Sequence, residues 1–349
     1  MSDVVISIGG QEFEGWKSLE IIRSMEAMSG AFSVTSTDLS KPWLMGNLRA
    51  GTNVEIIVDG QPVLIGYVDK ARPQYSARGR EVSISGRDRI ADLLDCAATV
   101  DGPYEFKSQI LEAVIKSVLK PYSIPLTISA ETGKKFERIA INPGETAYEF
   151  IERICRYRSV LPISDGIGGL HLVKPGNQNS GVSLVYGDNI LSGSGEMDYR
   201  DLHSLYVFKS QGEAGAFTTA EESATPEGRA EDLKVGRYRP FVEVAEAQGF
   251  NQTLAERAEW QKRINRARAT TITYDVQGFY SSEGQFWLPN TLVDVKDPEL
   301  GVERTLLIKS VTMSRQESGT ITQLDMTLPE AFDIPPVKEP SDDDAWGGI

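Results

Sequence analysis

Two stretches near opposite ends of this chain read as the same β-rich phrase, and that duplication constrains the fold more than any other feature. The first runs from Gly51-Thr52-Asn53-Val54-Glu55-Ile56-Ile57-Val58-Asp59-Gly60 through Val63-Leu64-Ile65-Gly66-Tyr67-Val68 to Glu81-Val82-Ser83-Ile84-Ser85-Gly86. The second runs from Pro289-Asn290-Thr291-Leu292-Val293-Asp294-Val295-Lys296-Asp297-Pro298 through Thr305-Leu306-Leu307-Ile308-Lys309-Ser310-Val311 to Gly319-Thr320-Ile321-Thr322-Gln323-Leu324-Asp325-Met326-Thr327-Leu328. Alternating apolar residues bounded by turn formers predict antiparallel strands in both. A chain with two like β-modules can imitate two subunits, so three chains can present six like modules around one axis. That places function in assembly geometry before any catalytic pocket is considered.

The 349 residues exceed one ordinary core and predict two or three domains. No run approaches the roughly 20 apolar residues of a membrane-spanning helix, and Met1-Ser2-Asp3 leads straight into a strand pattern. The expectation is a chain made and folded in the cytosol, without stable membrane insertion. Cys96 and Cys155 are the two cysteines, in different segments and without a CxxC partner, so neither a structural disulfide nor a zinc site is expected. The net charge of −14 opposes general adhesion to nucleic acid, whose phosphates attract clustered Lys and Arg, but not the passage of DNA past the protein.

The fold class expected is α+β but mainly β: two similar antiparallel β-barrel modules with a small α/β insert between them. Residues 1–96 form the first module, where Gly9-Gly10, Asp59-Gly60 and Ala77-Arg78-Gly79 supply turns. Residues 97–181 form the insert. In it the spacing of Ile110, Val114, Val118 and of Ile115, Leu119 predicts a helix from Phe106 to Leu119, stopped by Pro121. A second helix begins at Thr146, with Glu149 at the reciprocal position of a capping box. Residues 182–333 form the second module, broken near 211–250 by a flexible excursion rich in Gly, Ala, Glu, Ser and Thr. A third helix is expected from about Gln252 to Ala267. From 334 to 349 prolines and Asp342-Asp343-Asp344 make an extended acidic tail.

Four phrases in this order carry a family likeness: Pro143-Gly144-Glu145-Thr146-Ala147-Tyr148-Glu149-Phe150-Ile151-Glu152-Arg153-Ile154, Asp165-Gly166-Ile167-Gly168-Gly169-Leu170, Ala255-Glu256-Arg257-Ala258-Glu259-Trp260 and Gly284-Gln285-Phe286-Trp287-Leu288-Pro289-Asn290. With the β, α/β, β order, they resemble the baseplate hub proteins of Mu-type contractile-tailed phages, a group related to the phage late control D proteins and to the hub part of VgrG. The resemblance spans nearly all of residues 1–333. It implies a virion tail protein that forms a homotrimer, each subunit giving two tube-type barrels to a ring of near-sixfold symmetry. One face would meet the hexameric tail tube and other baseplate proteins. The opposite face would hold a trimeric spike, expected to be a separate protein because this chain lacks the β-repeats that continue VgrG.

Other chemistry is weakly supported. His171 and His203 alternate with apolar strand residues and read as structural. No HExxH, GxSxG or GxxxxGK[ST] occurs. Asp165-Gly166-Ile167-Gly168-Gly169 lies between strands and reads as a hairpin turn, not a phosphate loop. No carboxylate pair stands in a glycosidase setting. Pro143-Gly144-Glu145-Thr146-Ala147 is faintly similar to the start of a LysM module, without its matched helix pair. No enzyme activity, cofactor or metal is therefore expected, and the alternative is a cell-wall-binding or cell-wall-degrading tail protein. The mixed charge of residues 256–268 fits intrahelical pairing of Glu256 and Glu259 with Lys262 and Arg263. Candidate assembly-interface residues are Trp260, Arg263, Trp287 and Trp346, the last in a tail that gives it no packing role.

Overall fold

A computed structural model describes residues 3–13, 16–37, 49, 51–77, 79–176, 178–210, 227–245, 253–316 and 319–334. The first module contains β1 (Val4–Ile8), β2 (Gln11–Phe13), β3 (Trp16–Ser24), β4 (Ala31–Ser36), β5 (Asn53–Val58), β6 (Gln61–Ser76) and β7 (Gly79–Asp88). Side chains alternate across each strand. Val4, Ile6 and Ile8 of β1 and Val54, Ile56 and Val58 of β5 therefore face one interior.

A short helix α1 (Ala91–Asp95) leads into the insert, formed by β8 (Glu105–Gln109), α2 (Leu111–Leu119), β9 (Leu126–Ile128), β10 (Phe136–Ala140), α3 (Ala147–Arg156), β11 (Leu161–Ser164) and β12 (Leu170–Val173). Strands β8 and β10 pair antiparallel, while β12 pairs parallel to β9 and antiparallel to β11. The helix expected from Phe106 starts only at Leu111. Residues 105–109 are a strand, Ser108 takes a left-handed φ of 53°, and Phe106 packs on Phe150 with ring centroids 6.1 Å apart. The period-3.6 signal belonged to Leu111, Val114, Ile115 and Val118, all buried. The capping box at Thr146 is formed: its side chain accepts from the Glu149 N–H, and the Glu149 carboxylate accepts from the Thr146 N–H. The Asp165–Gly169 stretch is a hairpin turn, with Asp165 Oδ1 accepting from the N–H groups of Ile167 and Gly169.

The second module opens with β13 (Gln178–Val185) and β14 (Ser192–Met197). Three strands then leave the main sheet: β15 (Leu205–Ser210), β16 (Glu227–Glu231) and β17 (Pro240–Ala245). They form a small sheet of their own, covered by α4 (Leu254–Arg268) through Tyr206, Phe208, Ala230 and Ala258. Within the expected flexible excursion, residues 227–231 and 240–245 are thus ordered strands, while 211–226 and 246–252 lie outside the described residues. Composition missed these strands because the apolar content of the unit is small and its helix arrives later in sequence. The module ends with β18 (Thr270–Gln277), β19 (Thr291–Asp297), β20 (Val302–Gln316) and β21 (Gly319–Thr327).

Both halves share one topology. The first places its strands in the order β3-β4-β7-β6-β5-β1, and the second in the order β14-β18-β21-β20-β19-β13. The register of β4-β7-β6 matches that of β18-β21-β20 as well: Phe32↔Gly86 corresponds to Ile272↔Met326, Val68↔Gly86 to Ile308↔Met326, and Ser76↔Gly79 to Gln316↔Gly319, always at the same offset along the chain. The long strands even carry a register shift at the same place, between Val68 and Lys70 and between Ile308 and Ser310. Such a bulge bends a strand sharply enough to let it serve two neighbours along its length. One difference stands out: β1 runs antiparallel to β5, whereas β13 runs parallel to β19.

The halves are also joined. The distal part of β20 pairs with β3, from Ser310↔Ser24 to Arg315↔Leu19, so that among the described residues 13 strands make one sheet. A single apolar cluster runs through both halves, from Ile6, Ile21, Val34 and Ile84 to Val293, Leu306, Val311 and Leu324. The insert has its own core, including Val114, Phe150, Ile154 and Leu172. At roughly 1.5–3 kcal/mol for each fully buried aliphatic or Phe side chain, these clusters set the relative positions of everything described below.

Candidate assembly surface

The two modules and the insert meet at a cleft of about 220 Å³ lined by Arg23, Asp88, Ser164, Asp165, His171 and Asn290 among others. It is built for joining. Arg23 comes from β3, Asp88 from the end of β7, and Ser164 and Asp165 from the β11–β12 hairpin. Arg23 Nη2 donates to the Asp165 carbonyl. Asp88 accepts from the Gly30 N–H at 2.7 Å, the Ile90 N–H at 3.0 Å and the Ser164 hydroxyl at 2.5 Å. Burial lowers the Arg23 pKa against the opposing pull of Asp165 and Asp88, and burial raises that of Asp88 against its hydrogen bonds. The Asp88 and Asp165 carboxylates are thus occupied by structural donors.

His171 lies at the same cleft, with Nε2 2.7 Å from Ser129 Oγ, and burial holds its pKa below the ordinary imidazole value. A serine beside a histidine invites an acyl-transfer reading, but the Asp165 carboxylate caps its own turn through Ile167 and Gly169. Ser129 follows β9, which pairs with the His171 strand, and the contact fits a cross-strand hydrogen bond. His203 is distant in the chain, held by Nδ1 to the Asp201 carbonyl at 2.9 Å and by ring contacts with Tyr206 and Phe241.

The candidate interface residues separate. Trp260 lies half-buried on α4, in a cleft of about 430 Å³ shared with Glu152 and Arg156 of α3, Arg268, Phe332 and Asp333. Its indole Nε1 is buried with no hydrogen-bond partner among the described residues. Arg263, one turn along, pairs with Asp333 at 2.5 Å. Glu259 pairs with Lys262 as read from the sequence, but Glu256 instead closes a second capping box with Thr253. Trp287 is 4% exposed and belongs to the main core, so it packs the second module from within and offers no surface. Trp346 lies outside the described residues.

Among the described residues two free sheet edges were not singled out from sequence, because an edge is a property of pairing. Strand β14 ends the sheet, and its six residues are exposed. Residues 69–75 of β6 lie beyond the reach of β5, which pairs only as far as Tyr67, and they too are exposed. Tyr75 is 88% and Met197 60% exposed. Exposed edges are templates for another chain.

Comparison with known proteins agrees with an assembly role. Residues 3–88 match the N-terminal domain model of the Mu phage baseplate assembly protein GpP-like group, 90–174 the second domain of gp44-like baseplate hub proteins, and 251–335 the fourth domain of GpP. The baseplate hub protein gp44 of Escherichia phage Mu is 30% identical over 346 residues, 95% of this chain and 89% of its own length. This chain belongs to the Mu-type baseplate hub proteins. It is therefore a structural component of the phage tail baseplate. The 43 kDa tail protein of prophage MuSo2 from Shewanella oneidensis superimposes with a TM-score of 0.81 at 31% identity, covering 95% of the hub described here and 99% of that chain. A tail protein of Neisseria meningitidis MC58, at 22% identity and a TM-score of 0.73 over 97% and 99% of the two chains, shares the fold. Among the described residues of this hub, no helix is long and apolar enough to cross a membrane.

Proposed function

We propose that this hub acts as a non-enzymatic homotrimer in which the twin modules of three chains form a six-module ring. The ring adapts a threefold spike on one side to a sixfold tail tube on the other, and DNA passes through its lumen. The single observation that carries this reading is the strand order common to the two halves, with the register of β4-β7-β6 repeated in β18-β21-β20 pair for pair at one fixed offset. Equal modules let a hexameric partner find six like surfaces on three chains. Trp260 and Arg263 on α4 and Trp346 in the acidic tail are the proposed contacts to neighbouring baseplate proteins. The net charge of −14 per chain, where it faces the lumen, repels DNA phosphates and eases passage.

Solution mass tests the proposal. Light scattering should give about three times the 38.4 kDa chain mass. A one-chain mass that persists at high concentration, with the cognate spike protein and in assembled tails, overturns it. Release of soluble fragments from purified peptidoglycan would favour a cell-wall-degrading protein instead.

A further inference from the structure

The internal join between the two halves uses one strand of each half, and the counterpart of each strand in the other half bears on contact between subunits. Within one chain, the distal half of β20 pairs with β3. In the first module the counterpart of β20 is β6; in the second the counterpart of β3 is β14. The second equivalence is read from register: Leu19↔Val34 corresponds to Gly193↔Tyr274, and Ile22↔Ala31 to Glu196↔Thr271. Among the described residues, both counterparts leave open the edge that their equivalents use for the join. We propose that residues 70–75 of β6 in one subunit pair antiparallel with residues 193–198 of the next, a second copy of this chain, along β14 and the residue that follows it, in the register that the β20–β3 join prescribes.

That register is specific. Ser310↔Ser24 maps to Lys70↔Asp198, Thr312↔Ile22 to Arg72↔Glu196, and Arg315↔Leu19 to Tyr75↔Gly193. The mapping was fixed by backbone pairing alone, yet it sets both cations of β6 opposite carboxylates. The internal join has uncharged residues at the same two positions. A chain of net charge −14 thus keeps a basic stretch on one free edge and an acidic stretch on the other. Burial points the same way: Val311 and Met313 of β20 are buried, whereas Ala71 and Pro73 in the corresponding positions of β6 are exposed. Pro73 has no N–H to donate, which makes this edge a poor template for unspecific strand addition and leaves partner choice to the charges. A basic edge meeting an acidic edge is a head-to-tail contact. Three such contacts alternating with three internal joins close a ring.

The inference rests on the trimeric reading above, and its test separates the two. Directly opposed residues in an antiparallel pair lie about 4.5–5.5 Å apart between Cα atoms, within disulfide range. In a Cys96→Ser background, Arg72→Cys with Glu196→Cys should oxidise to covalently linked trimers, and neither single variant should. Arg72→Cys with Ser192→Cys, four residues and roughly 13 Å out of register, should not link. Separately, Arg72→Glu or Glu196→Arg should raise the trimer dissociation constant by at least about tenfold, and the double reversal should restore it. A trimer by mass in which the 72–196 pair fails to link, or in which the 72–192 pair links instead, overturns this join but leaves the trimer standing. A one-chain mass without links, both in isolation and in assembled tails, overturns both.

Discussion

At the scale of single residues, the most exacting contacts hold parts of the chain to one another. Asp232 is 1% exposed and receives both Nε and Nη2 of Arg266. Burial opposes its ionisation, but the guanidinium and the Lys234 N–H outweigh that and bring its pKa below the ordinary carboxylate value. A depressed folded pKa means the stabilisation is present above the unfolded pKa, about 4, and is lost as pH falls through the folded value. Arg266→Ala should therefore destabilise the chain by about 2–3 kcal/mol in urea unfolding at pH 7, under the roughly 3–5 kcal/mol of a fully buried pair because Arg266 is itself about a third exposed. Below pH 4 the gap between variant and parent should narrow. A second exacting position is Gly166, whose φ is 77° and whose added Cβ would stand 2.6 Å from the Arg23 guanidinium. Gly166→Ala should cost at least about 1 kcal/mol by thermal unfolding, since it combines left-handed strain with loss of the Arg23 contact.

Among elements, α3 and α4 begin with the same device, a threonine and a glutamate three residues on. Thr146→Ala should remove about 1 kcal/mol, measured by chemical denaturation, because it orphans the Glu149 N–H at the start of a helix whose Phe150, Ile151 and Ile154 fill the insert core. The first of these boxes was legible in sequence because a turn and an apolar stripe flank it. The second, Thr253 to Glu256, was hidden by a charge run that read equally well as intrahelical pairing. Repetition of the β-phrase was legible for a similar reason: alternation and turn residues survive in both copies. Pairing partners were not. Nothing local in Trp16–Ser24 announces that it will pair with Ser310–Arg315, close to the opposite end of the chain, and nothing local in Ser192–Met197 announces an open edge. Trp287 shows the same gap for the site. An aromatic between turn-forming residues looks available until the strands around it are assembled and enclose it.

On the scale of the molecule, edge pairing and electrostatics make a measurable pair of demands. If the subunit join depends on Lys70, Arg72, Glu196 and Asp198, raising ionic strength from about 0.05 to 0.5 M should shift the hub toward single chains, since charges at an exposed rim are screened within roughly 10 Å at 0.1 M. Sedimentation at the two salt concentrations reads this directly, and a distribution indifferent to salt counts against those pairs. The internal join, uncharged at the corresponding positions and backed by a common core, should hold the two halves of each chain together throughout.

The opposite directions of β1 and β13 have a use of their own. With β1 antiparallel to β5 and β13 parallel to β19, these two strands point different ways, so the proposed circle of six modules would carry an alternating mark along that margin. A neighbour that touches only the matching strands senses six equivalent seats and can be set down on any of them. One that touches the marked margin can be seated in just three orientations, and the rotational phase between two neighbours is then written into the direction of a single strand.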